Sequence, residues 1–416
     1  MSGLRSVKLG VFNSTWILFA GKLVQLGLFF VVASKLGASE FGAFAMVLSL
    51  AQLLALVATI GGQQGITKMI SRYRAKNKIQ QLKGLMVFSV LAYLAVISLI
   101  YLSFFTFNQH KFYLTDDAFL LSFMIIAITM WVYLRDGITR GLAMIVESQV
   151  TQEIVSPLII LLMVLFAPTT SNSFEGFALL WVITFFSVEG ILCLYLILRF
   201  RDQVRGIKTV FLIKSWAVEM LVDQGVSVSK SLLNRSDVLI VGSLLGTQAA
   251  GIYSLASRLA QPATLVARAV SAGAGTFMTA FRATGDVHLV KGTLSLTFLF
   301  SVTAISVFVF VSVLFGDQIL TIAGEEFAKG YAVLVMLTIA QGIDALAAPH
   351  ALYLLISRQG LKLITIHGIG LALFLGGITL KLQSDLTGEI VSALVLFALG
   401  FVSLAVYLTS LLSQRE

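Results

Sequence analysis

GTLSLTFLFSVTAISVFVFVSVLFG, residues 292–316, runs for 25 residues without an aspartate, glutamate, lysine or arginine. A helix rises about 1.5 Å per residue and the hydrocarbon core of a bilayer is roughly 30 Å thick, so about 20 such residues make one crossing. A helix of a water-soluble protein seldom goes so far without a charge, because one of its faces meets water. Residues 84–109 and 390–414 have the same character. The 416-residue chain agrees with them: 58% of it is hydrophobic, 12% is charged, and its mean hydropathy is +0.96. Such a composition requires lipid as solvent.

Apolar windows bounded by turns predict twelve spans. The first six lie near residues 10–34, 41–62, 84–107, 118–139, 150–167 and 175–198, the fifth interrupted by Pro157. The second six lie near 217–246, 250–273, 292–315, 331–352, 361–380 and 390–412. The first stretch is too long for a signal-peptide core and lacks a small-residue cleavage site, so it counts as a span. An even number of spans puts both termini on one side. Twenty of the 29 basic residues fall on that side, concentrated in 68–83 and 199–214, against four (Lys35, Lys111, Lys329, Lys381) on the other. Basic loops stay cytoplasmic, so both termini are expected in the cytoplasm. The formal net charge of +9 is then mostly topology and implies no nucleic-acid partner.

The loops leave no room for a soluble domain, and no GxxxxGK[ST] loop is present to cradle a nucleotide. Cys193 alone builds neither a disulfide framework nor a metal cluster. His110, His288, His350 and His367 have no metal-ligand spacing and read as packing residues, so no metal is expected.

Sliding the chain by 209 residues superposes SKLG (34–37) on SLLG (243–246), Gly42 on Gly251, and Leu50, Ala51 and Gln52 on Leu259, Ala260 and Gln261. The sequence thus reads as a duplication, with lobes 1–208 and 209–416 of six spans each. Halves with an even number of spans share one orientation, the parallel-repeat arrangement of several secondary transporters.

The seventh span carries Glu219, Asp223, Ser227, Lys230, Asn234 and Asp237 on one helical face, with Arg235 beside it. On the eighth, Ser254, Arg258, Gln261 and Arg268 share a face. Their repeat partners Ser49, Gln52 and Thr59 are polar but neutral, and the first span adds Thr15, Lys22 and Gln25. A charge at the bilayer centre costs about 2.5–3.5 kcal/mol even on insertion scales, so these cations must face protein or water. Two readings follow. Lys22, Lys230, Arg235, Arg258 and Arg268 could line a cavity with Gln25, Gln52, Asn234 and Gln261 and clamp an anionic head group. They could instead pair internally, Lys230 with Asp223 or Arg235 with Asp237. Glu189 and Asp344 stand about 14 residues, or roughly 21 Å, from the outer ends of their spans. With Asp223 they are the acids expected to carry a coupling proton or sodium ion, or else to neutralise a cavity cation.

SKLGASEFGAFAMVLSLAQLL (34–54), GGQQGITKMISRYRA (61–75), NRSDVLIVGSLLGTQAAGIYSLASRLAQP (234–262) and GEEFAKGYAVLVML (324–337) resemble the polysaccharide-biosynthesis family of lipid-linked oligosaccharide flippases. That family lies in the multidrug and oligosaccharidyl-lipid exporter superfamily. The resemblance implies an all-α, MATE-like bundle of about twelve transmembrane helices in two pseudo-symmetric lobes, in a bacterial inner membrane. It implies that a polyprenyl-pyrophosphate-linked glycan crosses from the cytoplasmic to the outer leaflet with its lipid tail in the bilayer between the lobes. Polysaccharide polymerase and glycosyltransferases would be the working partners, for O-antigen or exopolysaccharide synthesis. A drug exporter of the same superfamily would share the fold but favours an acidic cavity for cationic cargo. A fourteen-span peptidoglycan-precursor flippase is two spans longer. A membrane polymerase or ligase would need a large outer loop, whereas the longest here run near 108–117 and 317–330.

Overall fold

A computed structural model describes the backbone of residues 2–58, 62–110, 116–166, 173–264, 287–357, 359–381 and 386–413. Its elements in chain order are α1 (Ser2–Ala58), α2 (Gly62–Ala75), α3 (Ile79–His110), α4 (Asp116–Gly141), α5 (Ile145–Gln149), a π-turn (Val150–Val155), α6 (Ser156–Phe166) and α7 (Phe174–Val204). There follow α8 (Ile213–Leu245), α9 (Thr247–Ala260), α10 (Val287–Ala323), a 3-10 segment (Glu325–Gly330), α11 (Tyr331–Ile356), α12 (Gly360–Lys381) and α13 (Gly388–Ser413). Among the described residues nine stretches are long and apolar enough to cross a membrane. The first of these, Ile17–Leu56, holds 40 residues, about 60 Å of helix and twice one crossing. It divides at Gly37, whose φ of 72° and ψ of 171° leave the helical region. The polar face of α8 keeps it out of that apolar set, and the described part of α9 has only 14 residues.

Among the described residues each predicted span has a helical counterpart, with two local differences; positions 265–273 of the eighth lie outside them. The second span, expected to end near residue 62, is followed by α2, which carries helix into the segment expected to be a cytoplasmic loop. Ile66, Met69, Ile70 and Tyr73 recur at helical spacing and pack with Leu134 and Ile138 of α4 and with Leu142 just past its end. Gly137 and Gly141 open the seam: a Cβ on Gly141 would lie 2.6 Å from the Ile70 Cβ. Small residues let membrane helices approach in this way. The basic residues that make the segment look like a loop, among them Lys68 and Arg74, occupy its exposed face.

The fifth span contains α5, the π-turn and α6. Proline has no N–H to give the carbonyl four residues earlier, so Pro157 leaves the turn at Glu153 without its helical donor, and the helix widens there.

Two compact units emerge. One comprises Met1–Thr15, Phe29–Ala45 and Ser229–Glu416; the other comprises Trp16–Leu28 and Met46–Val228. α1 and α8 each contribute to both. Outward faces are apolar, as at Leu99, Ile191 and Phe310, which suits lipid and not water.

The first unit contains both members of several residue pairs that the 209-residue shift superposes. Gly37 has φ 72° and ψ 171°, and its 209-residue counterpart Gly246 has φ 90° and ψ 171°. Both values lie in the left-handed half of backbone space that glycine tolerates, so each breaks one helix from the next at the same place. Ser34 Oγ donates to Val31 O, and Ser243 Oγ to Ile240 O, again at matched positions. The segments then cross reciprocally: a Cβ on Gly42 would lie 1.8 Å from Thr247 O, and one on Gly251 would lie 1.9 Å from Ala38 O. Glu326 caps the junction, accepting the Ala38 N–H at 2.7 Å and Gln248 Nε2 at 3.3 Å.

Candidate functional site

Most of the embedded cations found in the sequence fall in the first unit. Lys230 on α8 forms a 3.4 Å ion pair with Asp344 on α11, and both act electrostatically on the buried His367 of α12. Asn234 donates to Lys230 O at 3.0 Å, which holds its amide against its own helix. Arg235, half-buried, is close enough for its charge to act on Arg258. The Arg258 guanidinium carbon sits 3.5 Å above the centre of the Phe29 ring. That is a cation–π contact at close range, worth up to about 2 kcal/mol where water is excluded. The Arg258 Nε is buried and has no hydrogen-bond partner among the described residues. Gln341 reaches Ser257 O at 3.4 Å beside it, and Gln261 is exposed at the end of α9.

The chemistry of this arrangement is that of an anion site. A guanidinium carries five fixed donors and stays charged, so a buried donor with no acceptor is an incentive to bind carboxylate or phosphate. Its ring platform holds the side chain without consuming those donors. Asp237, within electrostatic range of Arg235, accepts the Tyr253 hydroxyl at 2.9 Å and the Val238 N–H at 2.8 Å.

Lys22 lies in the second unit and is paired. Its Nζ is 3.0 Å from Glu153 Oε2 and 2.8 Å from Gln25 Oε1, while Gln25 Nε2 donates to Glu153 at 2.9 Å. Gly21 makes room for this triangle, since a Cβ there would lie 2.5 Å from the Glu153 Cβ. Glu153 escaped the sequence reading; its signals were Pro157 four residues on and the glycine preceding Lys22. Gln52 is half-buried on α1 in the same unit.

Glu189, expected to be an isolated acid, is held by both arms of Arg135: Nε donates to Oε2 at 2.9 Å and Nη2 to Oε1 at 2.6 Å. Arg135 also donates to Ser148 Oγ at 2.6 Å, and Ser148 in turn bonds Asp136. Asp136 additionally accepts from Gln63 and pairs with Arg140 Nε at 2.8 Å. Arg135, within the fourth predicted span, has a side chain only 1% exposed. Four residues that sequence reasoning left out of the site, Gln63, Arg135, Asp136 and Ser148, thus form a buried polar network with Glu189. Arg268 and the side chain of Asp223 lie outside the described residues.

Solved structures share the fold. An inward-facing multidrug-resistance MATE family transporter of the MOP superfamily superposes with a TM-score of 0.76 at 12% identity, covering 95% of this chain and 94% of its own. A mutant Vibrio cholerae MATE transporter gives 0.69 at 15% identity, covering 100% and 98%. A MOP superfamily transporter from Pyrococcus furiosus, described as having a binding pocket of reverse polarity, gives 0.63 at 12% identity over 98% and 95%. No curated protein matches the chain. The fold is therefore the helical fold of MATE transporters. A family model for polysaccharide biosynthesis proteins matches residues 7–274, well over half the chain, and to that family the protein belongs.

Proposed function

We propose that this protein is a flippase that carries a polyprenyl-pyrophosphate-linked oligosaccharide, such as an O-antigen or exopolysaccharide unit, from the cytoplasmic to the outer leaflet of a bacterial inner membrane. The observation that carries the reading is Arg258: a buried guanidinium held on the Phe29 ring, with an unused Nε donor and a second arginine, Arg235, in electrostatic range. A pyrophosphate or an acidic sugar supplies an acceptor for the Arg258 Nε, whereas the cationic cargo of a drug exporter would be repelled. Family membership supports a glycan cargo, and the exporter fold supports alternating access around a cationic cavity. Lys230, Asn234 and Gln261 complete the polar set on α8 and at the end of α9. Both termini are cytoplasmic in this reading, and glycosyltransferases and a polysaccharide polymerase act before and after the transport step.

The test is transport in proteoliposomes loaded on one leaflet with a polyprenyl-pyrophosphate-linked oligosaccharide. Arg258→Ala should lower the flipping rate about tenfold or more at unchanged protein abundance, because a desolvated charge pair is worth about 2–5 kcal/mol. Arg258→Lys should restore only part of it, since an ammonium cannot fork onto two oxygens. Wild-type flipping by both variants would remove Arg258 from the cargo path.

Coupling is assigned to Asp344. Glu189 is committed to Arg135 by two hydrogen bonds, whereas Asp344 holds Lys230 at 3.4 Å, a looser pair that protonation or a sodium ion would release. Asp344→Asn should therefore make flipping insensitive to an imposed proton or sodium gradient. A mutant that responds to the gradients as the wild type does would place coupling elsewhere.

A further inference from the structure

The two most basic stretches of the sequence, 68–83 and 199–214, lie far apart in the chain, and the second unit joins them. α7 ends at Val204, Gly206 turns the chain with a φ of 75°, and residues 207–212 run without helix to the start of α8. This connection is fastened to the beginning of α3. Lys83 Nζ donates to Ile207 O at 2.9 Å, and the Val210 N–H donates to Gln80 O at 3.3 Å. Gly84 permits the approach, since a Cβ there would lie 2.0 Å from Val210 O. Trp216 secures the far side: fully buried, its ring lies 5.6 Å from that of Phe88, and its Nε1–H donates to the Tyr73 hydroxyl at 2.8 Å.

The fastening gathers charge. Lys76 and Lys78 stand four and two residues before Gln80, Lys208 follows Ile207, and Lys214 comes four residues after Val210. All four are exposed, as is Arg205 at the turn. The sequence has no aspartate or glutamate in residues 41–115 or 203–218 to offset them. Against these cations stand the exposed Glu147 of α5 and Asp202, whose side chain lies outside the described residues.

Depth identifies the partner. The apolar crossing stretch of α3 begins at Ile79 and that of α7 ends at Arg201, so the bases lie where helix leaves hydrocarbon. Apolar side chains are exposed among them: Ile79, Phe211, Leu212 and Ile213 are 37–51% exposed, the last three between Lys208 and Lys214. Cations flanking an apolar prong at this level match the boundary where acyl chains give way to phosphates.

We propose that this patch binds anionic phospholipid, its phosphate on Arg205, Lys208, Lys214 and the lysines of the α2–α3 turn and its acyl chains against Phe211 and Ile213. By the lysine and arginine bias, the leaflet concerned is the cytoplasmic one. Bound lipid holds the α7–α8 connection at the membrane surface. The inference does not depend on what the protein transports.

The experiment is native mass spectrometry of the full-length protein in a neutral detergent, titrated with phosphatidylglycerol or with phosphatidylcholine of the same chains. Phosphatidylglycerol should bind about tenfold more tightly or better. Each lysine or arginine near an anionic surface is worth about fivefold in affinity, so Lys76→Gln, Lys208→Gln and Lys214→Gln together should weaken phosphatidylglycerol binding by about tenfold or more. The same triple variant should bind phosphatidylcholine as before and keep its melting temperature, because the three side chains are exposed. Phe211→Ser should weaken both lipids alike, and Lys329→Gln, an exposed base predicted at the other leaflet, should weaken neither. Equal binding of the two lipids, or wild-type binding of phosphatidylglycerol by the triple variant, overturns the proposal. So does displacement by inorganic pyrophosphate as complete as by added phosphatidylglycerol, which would make the patch a site for phosphate without lipid.

Discussion

Arg135→Ala is expected to lower the stability of the purified protein by about 3–5 kcal/mol, the cost of leaving a buried ion without its partner. The geometry justifies the upper end. Arg135 and Glu189 have side chains 1% and 5% exposed and meet through two near-parallel hydrogen bonds at 2.6 and 2.9 Å. Removing the cation strands Glu189, 5% exposed, without its counter-ion and also takes the donor away from Ser148 at 2.6 Å. The measurement is the thermal transition of detergent-solubilised protein, followed by loss of the monodisperse fraction. Replacing both members with apolar residues of similar volume, Arg135→Met with Glu189→Leu, should recover most of the loss, because no ion then remains buried. A single mutant that melts with the wild type would show that the pair contributes nothing to the fold. The double mutant also separates roles: full transport with restored stability would make Glu189 purely structural, in keeping with coupling through Asp344.

How much of this was legible in the sequence differs between the helices and their partners. Spans were readable because lipid forces long apolar runs, and residues 292–316 have no alternative reading. The cations at Lys22, Lys230 and Arg258 were readable too, since a charge in such a run stands out by type alone. Their partners were not. Glu153 lies 131 positions from Lys22 and Asp344 lies 114 positions from Lys230, and helical periodicity reports only which residues share a face, never which face meets another helix. Arg135 is a related case: a basic residue six positions from the end of its helix looks like an anchor at the membrane surface, and only the position of Glu189 shows otherwise. α2 was hidden by its own charge, yet Ile66, Met69, Ile70 and Tyr73 carried the correct period beneath the arginines. Of the residues that mark the repeat, Gly37 and Gly246 have matching backbone angles that only glycine adopts cheaply.

That repeat yields the other large effect. Gly42→Ala and Gly251→Ala should each destabilise the protein by about 3 kcal/mol or more, the severe end of overpacking, although each adds one methyl group. In both cases the new Cβ would fall less than 2 Å from a backbone carbonyl oxygen, Thr247 O in one and Ala38 O in the other. A side chain could rotate away, but a helical carbonyl cannot, so the two segments must move apart. Separation also stretches the Glu326 bond to the Ala38 N–H. Because the two contacts are related by the 209-residue repeat and close the same crossing, the single mutants should resemble each other. The double mutant should cost much less than their sum, since a crossing already opened by one methyl admits the second. Gly400→Ala and Gly376→Ala, whose Cβ positions face open space, should leave the melting transition where it is. Additive losses would mean that the two glycines act at separate contacts, and wild-type melting of either single mutant would mean that the helices do not approach this closely.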